Sequence, residues 1–255
     1  MAIEVISLSF AYGRHQVLND ISLKVGAGEM VAILGANGTG KSTLFRCILG
    51  AQRKYTGTIK LNGADISQIS RSNIAAKLAY IPQTAESVFN YTVLQSVLMG
   101  ITNQLGVFGR PGKEHLNAAH EALETFGIEH LAQCGCNEIS GGERQLGLLA
   151  RAIVQKADTI IMDEPTANLD YGNQSLVMKK ISDLVSRGYT VILSSHDPNQ
   201  VFQHCTRTIA LSDGRIIFDG VPNSVLTDEV LSGMYGVNVS RHTLSGSDIS
   251  VFLVD

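Results

Sequence analysis

Apolar residues along this chain follow three kinds of spacing, and each predicts a different element. Over the first sixty residues they form short runs such as VLNDISLKV (residues 17–25) and TGTIKLNG (56–63), broken by Gly and Asn, which predicts short strands joined by turns. A tight run over Met30–Leu34 then meets a glycine-rich turn and an amphipathic segment at 41–49, the pattern of strand, loop, helix. From Thr84 to about Gln155, helical spacing replaces alternation and Ala, Glu, Leu and His predominate, which predicts a helical insert. Two uninterrupted apolar runs follow, TIIM (Thr159–Met162) and YTVILSS (189–195), separated by a helix-compatible stretch at 173–185. Runs without alternation suit parallel strands buried on both faces. TIALSDGRIIFDG predicts a closing hairpin turning at Ser212, Asp213 and Gly214. The tail from Val239 fits either a small strand pair or a flexible end.

Composition narrows the picture. With 255 residues, 44% hydrophobic and 17% charged, the chain is globular, and a net charge of -3 with pI near 6.2 supplies no field for gripping a nucleic-acid backbone. Cys47, Cys134, Cys136 and Cys205 form neither a disulfide framework nor a zinc-pair spacing, so reduced and mostly buried thiols are expected. There is no membrane-length apolar run and no basic-then-apolar leader at the N-terminus, so a cytosolic chain is expected.

Chemistry enters at three strand ends. Gly35-Ala36-Asn37-Gly38-Thr39-Gly40-Lys41-Ser42 matches G-x-x-x-x-G-K-[ST] in full, between a predicted strand and helix. Its glycines let backbone N–H groups face phosphate oxygens, Lys41 reaches the outer phosphates, and the Ser42 hydroxyl suits magnesium. Asp163 and Glu164 end the strand TIIM, where ligands of open α/β sheets bind. Neighbours on a strand point to opposite sides, which allows Asp163 to face the metal and Glu164 to face water. His196 follows the strand 189–195, again at a carboxyl end, and in this company a phosphate-sensing role is expected. Gln83 and Tyr12 would pass unremarked alone. In EISGGERQLGLLARAI (138–153), Ser140 and Glu143 form an S-x-x-E capping box ahead of Leu146, Leu149, Ala150 and Ile153 at helical spacing. A cap needs no glycine pair, and the missing side chains of Gly141 and Gly142 would let a phosphate approach the helix start closely.

The order of these elements, with Ser140-Gly141-Gly142 between the phosphate loop and the acidic strand, resembles the ATP-binding cassette (ABC) ATPases over nearly the whole chain, from Tyr12 to about Gly236. The resemblance implies an α/β fold: a P-loop NTPase (RecA-like) core with an N-terminal antiparallel β subdomain and an inserted α-helical subdomain. On it, 1–255 is one ABC ATPase domain, with 1–83 and 155–238 as core and β subdomain, 84–154 helical, and 239–255 a tail. It further implies that Tyr12 stacks on adenine; Gly35, Asn37, Gly38, Thr39, Gly40, Lys41, Ser42 and Thr43 hold the triphosphate of ATP; and Ser42, Gln83 and Asp163 serve magnesium. Glu164 would orient and deprotonate the attacking water, His196 would contact the γ-phosphate, and Asp170, in Ala167-Asn168-Leu169-Asp170, would speak to the opposite subunit. Ser140, Gly141 and Gly142 would act on nucleotide held by a second copy. Two residues depart from the family's commoner pattern: Ile139 in place of leucine and Glu143 in place of glutamine.

YTVLQSVLMG (91–100), GGERQ, ARAI and HDPNQV together are similar to the ATPases of importers for iron-siderophore, haem, cobalamin and related metal compounds. That implies a homodimer on the cytoplasmic face of the membrane, integral membrane permease subunits, an extracytoplasmic substrate-binding protein acting indirectly, and no nucleic acid. His196-Asp197-Pro198-Asn199-Gln200 also resembles importers of molybdate or tungstate, so cargo stays open between them. An exporter is a further alternative. A soluble ABC ATPase of translation or DNA repair would show a second cassette or a long coiled coil, and neither is present. Glu164, Gln83 and His196 together argue against an interaction module without turnover.

Overall fold

The computed structural model describes residues 2–83, 90–105, 109–243 and 250–255. The beginning of the expected helical insert, at 84–89, and the stretch 244–249 of the tail lie outside the described residues. In chain order the elements begin with β1 (Ile3–Tyr12), β2 (His15–Val25), β3 (Met30–Leu34), α1 (Lys41–Ile48), β4 (Thr56–Leu61) and β5 (Ala64–Asp65). Next come α2 (Arg71–Ala75), β6 (Leu78–Ile81), α3 (Val93–Leu98), α4 (Lys113–Phe126), α5 (Gly141–Val154), β7 (Thr159–Met162) and α6 (Tyr171–Ser186). The chain closes with β8 (Thr190–Ser195), α7 (Pro198–His204), β9 (Arg207–Ser212), β10 (Arg215–Gly220), α8 (Pro222–Val225), α9 (Asp228–Tyr235), β11 (Val239–Thr243) and β12 (Ser250–Val254). These form two compact units, one of Met1–Ile69 with Thr190–Asp255 and the other of Ser70–Tyr189.

In the first unit an antiparallel sheet runs β2-β1-β4-β5. Of the short strands expected here, TGTIKLNG forms the six-residue β4, whereas VLNDISLKV lies within the 11-residue β2, which pairs with the 10-residue β1. Asn19 and Asp20, which break the apolar pattern, lie inside β2 at a bulge rather than at a turn. Ser7 and Asp20 take positive φ (48° and 54°) where the β1–β2 register shifts. Serine hydroxyls replace the missing ladder bonds: Ser7 N–H donates to Ser22 Oγ and Asp20 N–H to Ser9 Oγ, both at 2.9 Å. A second sheet in this unit runs β10-β9-β3-β8. There β3 is parallel to both neighbours, with Leu34 opposite Ser195. Every residue of β3 and β8 is buried, as continuous apolar runs require. The β9–β10 hairpin turns through Asp213 and Gly214, both at positive φ, the conformation that a two-residue turn matched to strand twist demands. The tail forms an antiparallel pair, β11 with β12.

The second unit pairs β6 with β7 in parallel and packs α3 and α4 against α5. The apolar stripe of α5 explains that packing: Leu146, Leu149 and Ala150 are buried, while Ile153, at the end of the stripe, is half-buried. All four cysteines are free thiols, Cys47 and Cys205 buried, Cys134 and Cys136 half-buried.

Candidate functional site

In the first unit, the phosphate loop and His196 leave the carboxyl ends of β3 and β8, and Tyr12 ends β1 within reach of α1. The phosphate loop leaves β3 at Gly35, whose N–H donates to the Ser195 carbonyl at 3.3 Å. A side chain at Gly35 would meet the Leu211 carbonyl at 2.5 Å, so only glycine fits against β9 there. Lys41 is buried, and its ammonium donates to the carbonyls of Gly35 (2.7 Å) and Ala36 (3.1 Å), inside the turn it closes. Thr39 Oγ1 donates to the Ala36 carbonyl at 3.0 Å, leaving Asn37 and Gly38 exposed at the tip. Gly40 caps α1 at φ 106°, with no side-chain cap and no acidic residue in the first turn. The first N–H groups of that helix, at Ser42 and Thr43, therefore keep their donor capacity and the helix's positive end for an anion.

Tyr12, 43% exposed, stands edge-on to Phe10 with ring centroids 4.8 Å apart. Its hydroxyl accepts a long, weak bond from Arg46 of α1 at 3.5 Å, so its exposed ring belongs to the same region as the loop's helix. His196 follows β8 and is exposed. Its flanks are fixed: the Asp197 N–H donates to Ser195 Oγ at 3.0 Å, and Asp197 caps α7 by accepting from Asn199 N at 2.9 Å and Gln200 N at 3.3 Å.

In the second unit, Gln83, Asp163 and Glu164 leave the ends of the parallel pair β6 and β7. The Asp163 N–H continues the ladder to the Ile81 carbonyl at 2.9 Å. Both carboxylates are buried, Asp163 5% and Glu164 9% exposed. Gln83 Nε2 donates to Glu164 Oε2 at 3.0 Å. Glu164 sits at φ 47°, a strained conformation for a residue with a side chain, of the kind that clusters at reacting centres.

The same unit carries the signature segment. Ser140 caps α5 in full: its Oγ accepts from Glu143 N at 3.3 Å, while its own N–H (2.8 Å) and hydroxyl (2.7 Å) donate to Glu143 Oε2. Those bonds, the hydroxyl's first, hold the Glu143 carboxyl below its usual range. The structure adds a reason for the glycine pair. A Cβ at Gly142 would lie 2.5 Å from Asn173 Cγ, and one at Gly141 3.2 Å from Leu169 Cδ2. Thus Gly142 makes room for a side chain of its own chain. Asn173 is in turn held by Asp170, which caps α6 by accepting from Asn173 N at 2.9 Å and from Nδ2 at 2.5 Å. Those bonds hold the Asp170 carboxyl below its usual range. Asn173 is a residue that sequence reading missed, because nothing in the local pattern shows which side chain fills a glycine's space.

Among the described residues no cluster of three or more His, Cys, Asp or Glu is suited to hold a metal alone. Ser42 in the first unit, and Gln83 and Asp163 in the second, each carry a hard oxygen donor of the kind magnesium takes.

A full phosphate loop on an uncapped helix, with buried carboxylates at the end of an apolar strand, defines a P-loop NTPase. More closely, the chain belongs to the ABC transporter family, whose pattern matches residues 18–167. It is 37% identical over 237 residues to the probable iron chelatin transport ATP-binding protein of Helicobacter pylori, covering 92% of this chain and 93% of that one. Against the ferric enterobactin transport ATP-binding protein FepC of Escherichia coli it is 31% identical, covering 90% and 85%. Against the molybdate import ATP-binding protein MolC of Haemophilus influenzae it is 34% identical, covering 92% and 88%. Among solved structures, an inward-facing transporter assigned to the metal-chelate type superposes with a TM-score of 0.88 at 31% identity over 99% of this chain and 97% of that one. The fold is accordingly the α/β P-loop NTPase type with an antiparallel β subdomain and helices. The chain binds ATP, is an ATPase, and works with membrane permease components. No helix among the described residues is long and apolar enough to cross a membrane.

Proposed function

We propose that this chain hydrolyses Mg·ATP to drive import of a metal chelate, such as an iron-siderophore, haem or cobalamin, through a separate permease. The observation that carries the hydrolytic reading is the buried, strained Glu164 carboxylate held by Gln83. In this reading Tyr12 stacks on adenine, Gly35, Asn37, Gly38, Thr39, Gly40, Lys41 and Thr43 cradle the triphosphate, and Ser42, Gln83 and Asp163 hold magnesium. Held by these residues, magnesium would supply charge neutralisation to the phosphates. Glu164 takes the proton of the attacking water, and His196 contacts the γ-phosphate. Ser140, Gly141 and Gly142 act on nucleotide bound by a second copy, with Asp170 beside that junction, so ATP closes a homodimer. The cargo rests on likeness to the chelate relatives and the solved transporter. The molybdate relative names the competing cargo.

The second unit also offers the permease a place to bind. A groove of about 300 Å³ is lined by Pro82, Val93, Met99, Leu148 and the cations Arg144 and Arg151. An amphipathic permease segment with an acidic side suits it, and Pro82 adjoins the Gln83 that holds the base. Such docking makes the chain peripheral on the cytoplasmic face, with the extracytoplasmic binding protein acting only through the permease.

Glu164→Gln tests the core of this reading. It should retain ATP affinity and lose about 10²- to 10⁴-fold in kcat, the usual contribution of a positioned base. Near-normal turnover would remove Glu164 from that role. Cargo is tested by copurifying the permease and identifying the ligand of the matching binding protein, where molybdate in place of a chelate would select the alternative.

A further inference from the structure

His196 is held from the C-terminal part of the chain, beginning with α9. Tyr235, the last residue of α9, donates its hydroxyl to the His196 main-chain carbonyl at 2.9 Å. On the other side, the carbonyl of Ser195 accepts from Gly35, the first residue of the phosphate loop, at 3.3 Å. The peptide groups on both sides of His196 are thus fixed, the first by the loop and the second by α9 at its carbonyl and by Ser195 Oγ at its N–H. Burial, with Asp197 nearby, pushes the Tyr235 phenol far above its ordinary range, so its hydroxyl stays a donor at any working pH.

The same segment grips α7, which begins two residues after His196. The Asn199 side chain pairs with both main-chain groups of Phe252 in β12, donating to its carbonyl at 3.0 Å and accepting from its N–H at 2.7 Å. Phe202 stands edge-on to Phe252 at 5.4 Å, and the Arg241 guanidinium of β11 lies 4.7 Å from the Phe202 ring centroid. β11 is anchored to α9 in turn, because Asp228 accepts from Arg241 N at 2.9 Å and Ser232 Oγ from Val239 N at 2.9 Å. Asn199 of the HDPNQ phrase is therefore committed to the fold of this chain and is explained without reference to cargo.

We propose that α9, β11 and β12 form a clamp that positions His196 beside the phosphate loop, with Tyr235 as its positioning residue. The proposal rests on the reading that His196 contacts the γ-phosphate. A hydrogen bond that fixes the peptide plane after His196 sets the direction of its Cα–Cβ bond and thus where the imidazole reaches. Small misplacements of a catalytic contact are costly in rate. A clamp that only stabilised the fold would act on unfolding and leave the turnover of folded enzyme alone.

The test is steady-state ATP hydrolysis by the full chain carrying Tyr235→Phe, which removes only the hydroxyl, beside Asn199→Ala, His196→Ala and the double variant Tyr235→Phe/His196→Ala. Tyr235→Phe should lower kcat about threefold to tenfold, the rate equivalent of one ordinary hydrogen bond. KM for ATP should stay as in the wild type, the thermal midpoint should fall by no more than about 2–4 °C, and the loss of kcat should vanish in the His196→Ala background. Asn199→Ala should show the same split between kcat and KM. Wild-type kcat in both clamp variants, while His196→Ala is slow, would overturn the clamp and leave the role of His196 standing. Loss that adds to that of His196→Ala, or that only tracks a fallen thermal midpoint, would also overturn it. Wild-type turnover by His196→Ala would overturn the reading beneath it.

Discussion

The helices α1 and α5 both follow glycine-bearing motifs, and they start differently. α1 opens at Gly40, in the left-handed region, with no side-chain cap and no acid in its first turn. α5 opens at Ser140 with a complete capping box and Glu143 in its first turn. The N–H groups of Ser42 and Thr43 in α1 keep their donor capacity for a ligand, and Arg46 in its last turn suits the opposite end of the dipole. At α5 the chain has already satisfied part of the helix start and has set a carboxylate there, which opposes an incoming anion. A helix start of the first kind can hold phosphate by itself, whereas one of the second kind needs the rest of the site to be delivered. In the proposed dimer the two starts would divide the work: α1 would hold nucleotide on its own copy, and α5 would meet nucleotide delivered on the other.

Substitutions at the two starts should separate them. The largest effect is expected from Gly40→Ala. Positive φ alone costs an L-residue roughly 1–2 kcal/mol, and crowding of a packed site adds about 1–3. The new Cβ would meet Leu18 Cδ2 at 2.8 Å and the Val17 carbonyl at 3.0 Å. Urea unfolding should show a loss of about 2–5 kcal/mol together with weakened ATP binding. Gly142→Ala comes next, at about 1 kcal/mol, because crowding against Asn173 is partly offset by alanine's better helix propensity. Combining it with Asn173→Ala should reverse the sign, and a cycle showing no such coupling would separate Gly142 from Asn173.

The smallest effect is expected from Glu143→Gln, about 0.5 kcal/mol or less, since glutamine can still accept from Ser140. Its signature is pH dependence. The folded carboxyl of Glu143 titrates below its ordinary value of 4.5, so its contribution is present above 4.5 and is lost as pH falls through the lower folded value. Acid titration of stability should show that loss in the wild type and not in Glu143→Gln.

Much of this was legible in sequence because it depends on local pattern. The strand–loop–helix of the phosphate loop, the apolar strand ending in Asp163 and Glu164, the capping box and the Asp213–Gly214 hairpin each follow from spacing or turn chemistry within a dozen residues. What stayed hidden depends on contacts between distant positions. Strands β1 and β2 looked short because bulges at Ser7 and Asp20 place polar residues inside them. The tail looked undecided because Asn199, Phe202, Asp228 and Ser232, rather than alternation in the tail itself, hold its strands. The occupant of the space at Gly142 comes from another helix, so no motif could supply Asn173. The backbone strain at Glu164 leaves no trace in residue type, since glutamate has no special preference for positive φ.

The division of labour between the two helix starts is tested most directly by sedimentation with Mg·ATP, using Glu164→Gln to prevent turnover. That variant should sediment as a dimer. Adding Ser140→Arg, which places a bulky cation at the start of α5, should leave monomers that bind ATP with the same Kd. If ATP affinity falls as far as dimerisation does, or if the double variant still dimerises, the signature serves its own fold and the account is contradicted.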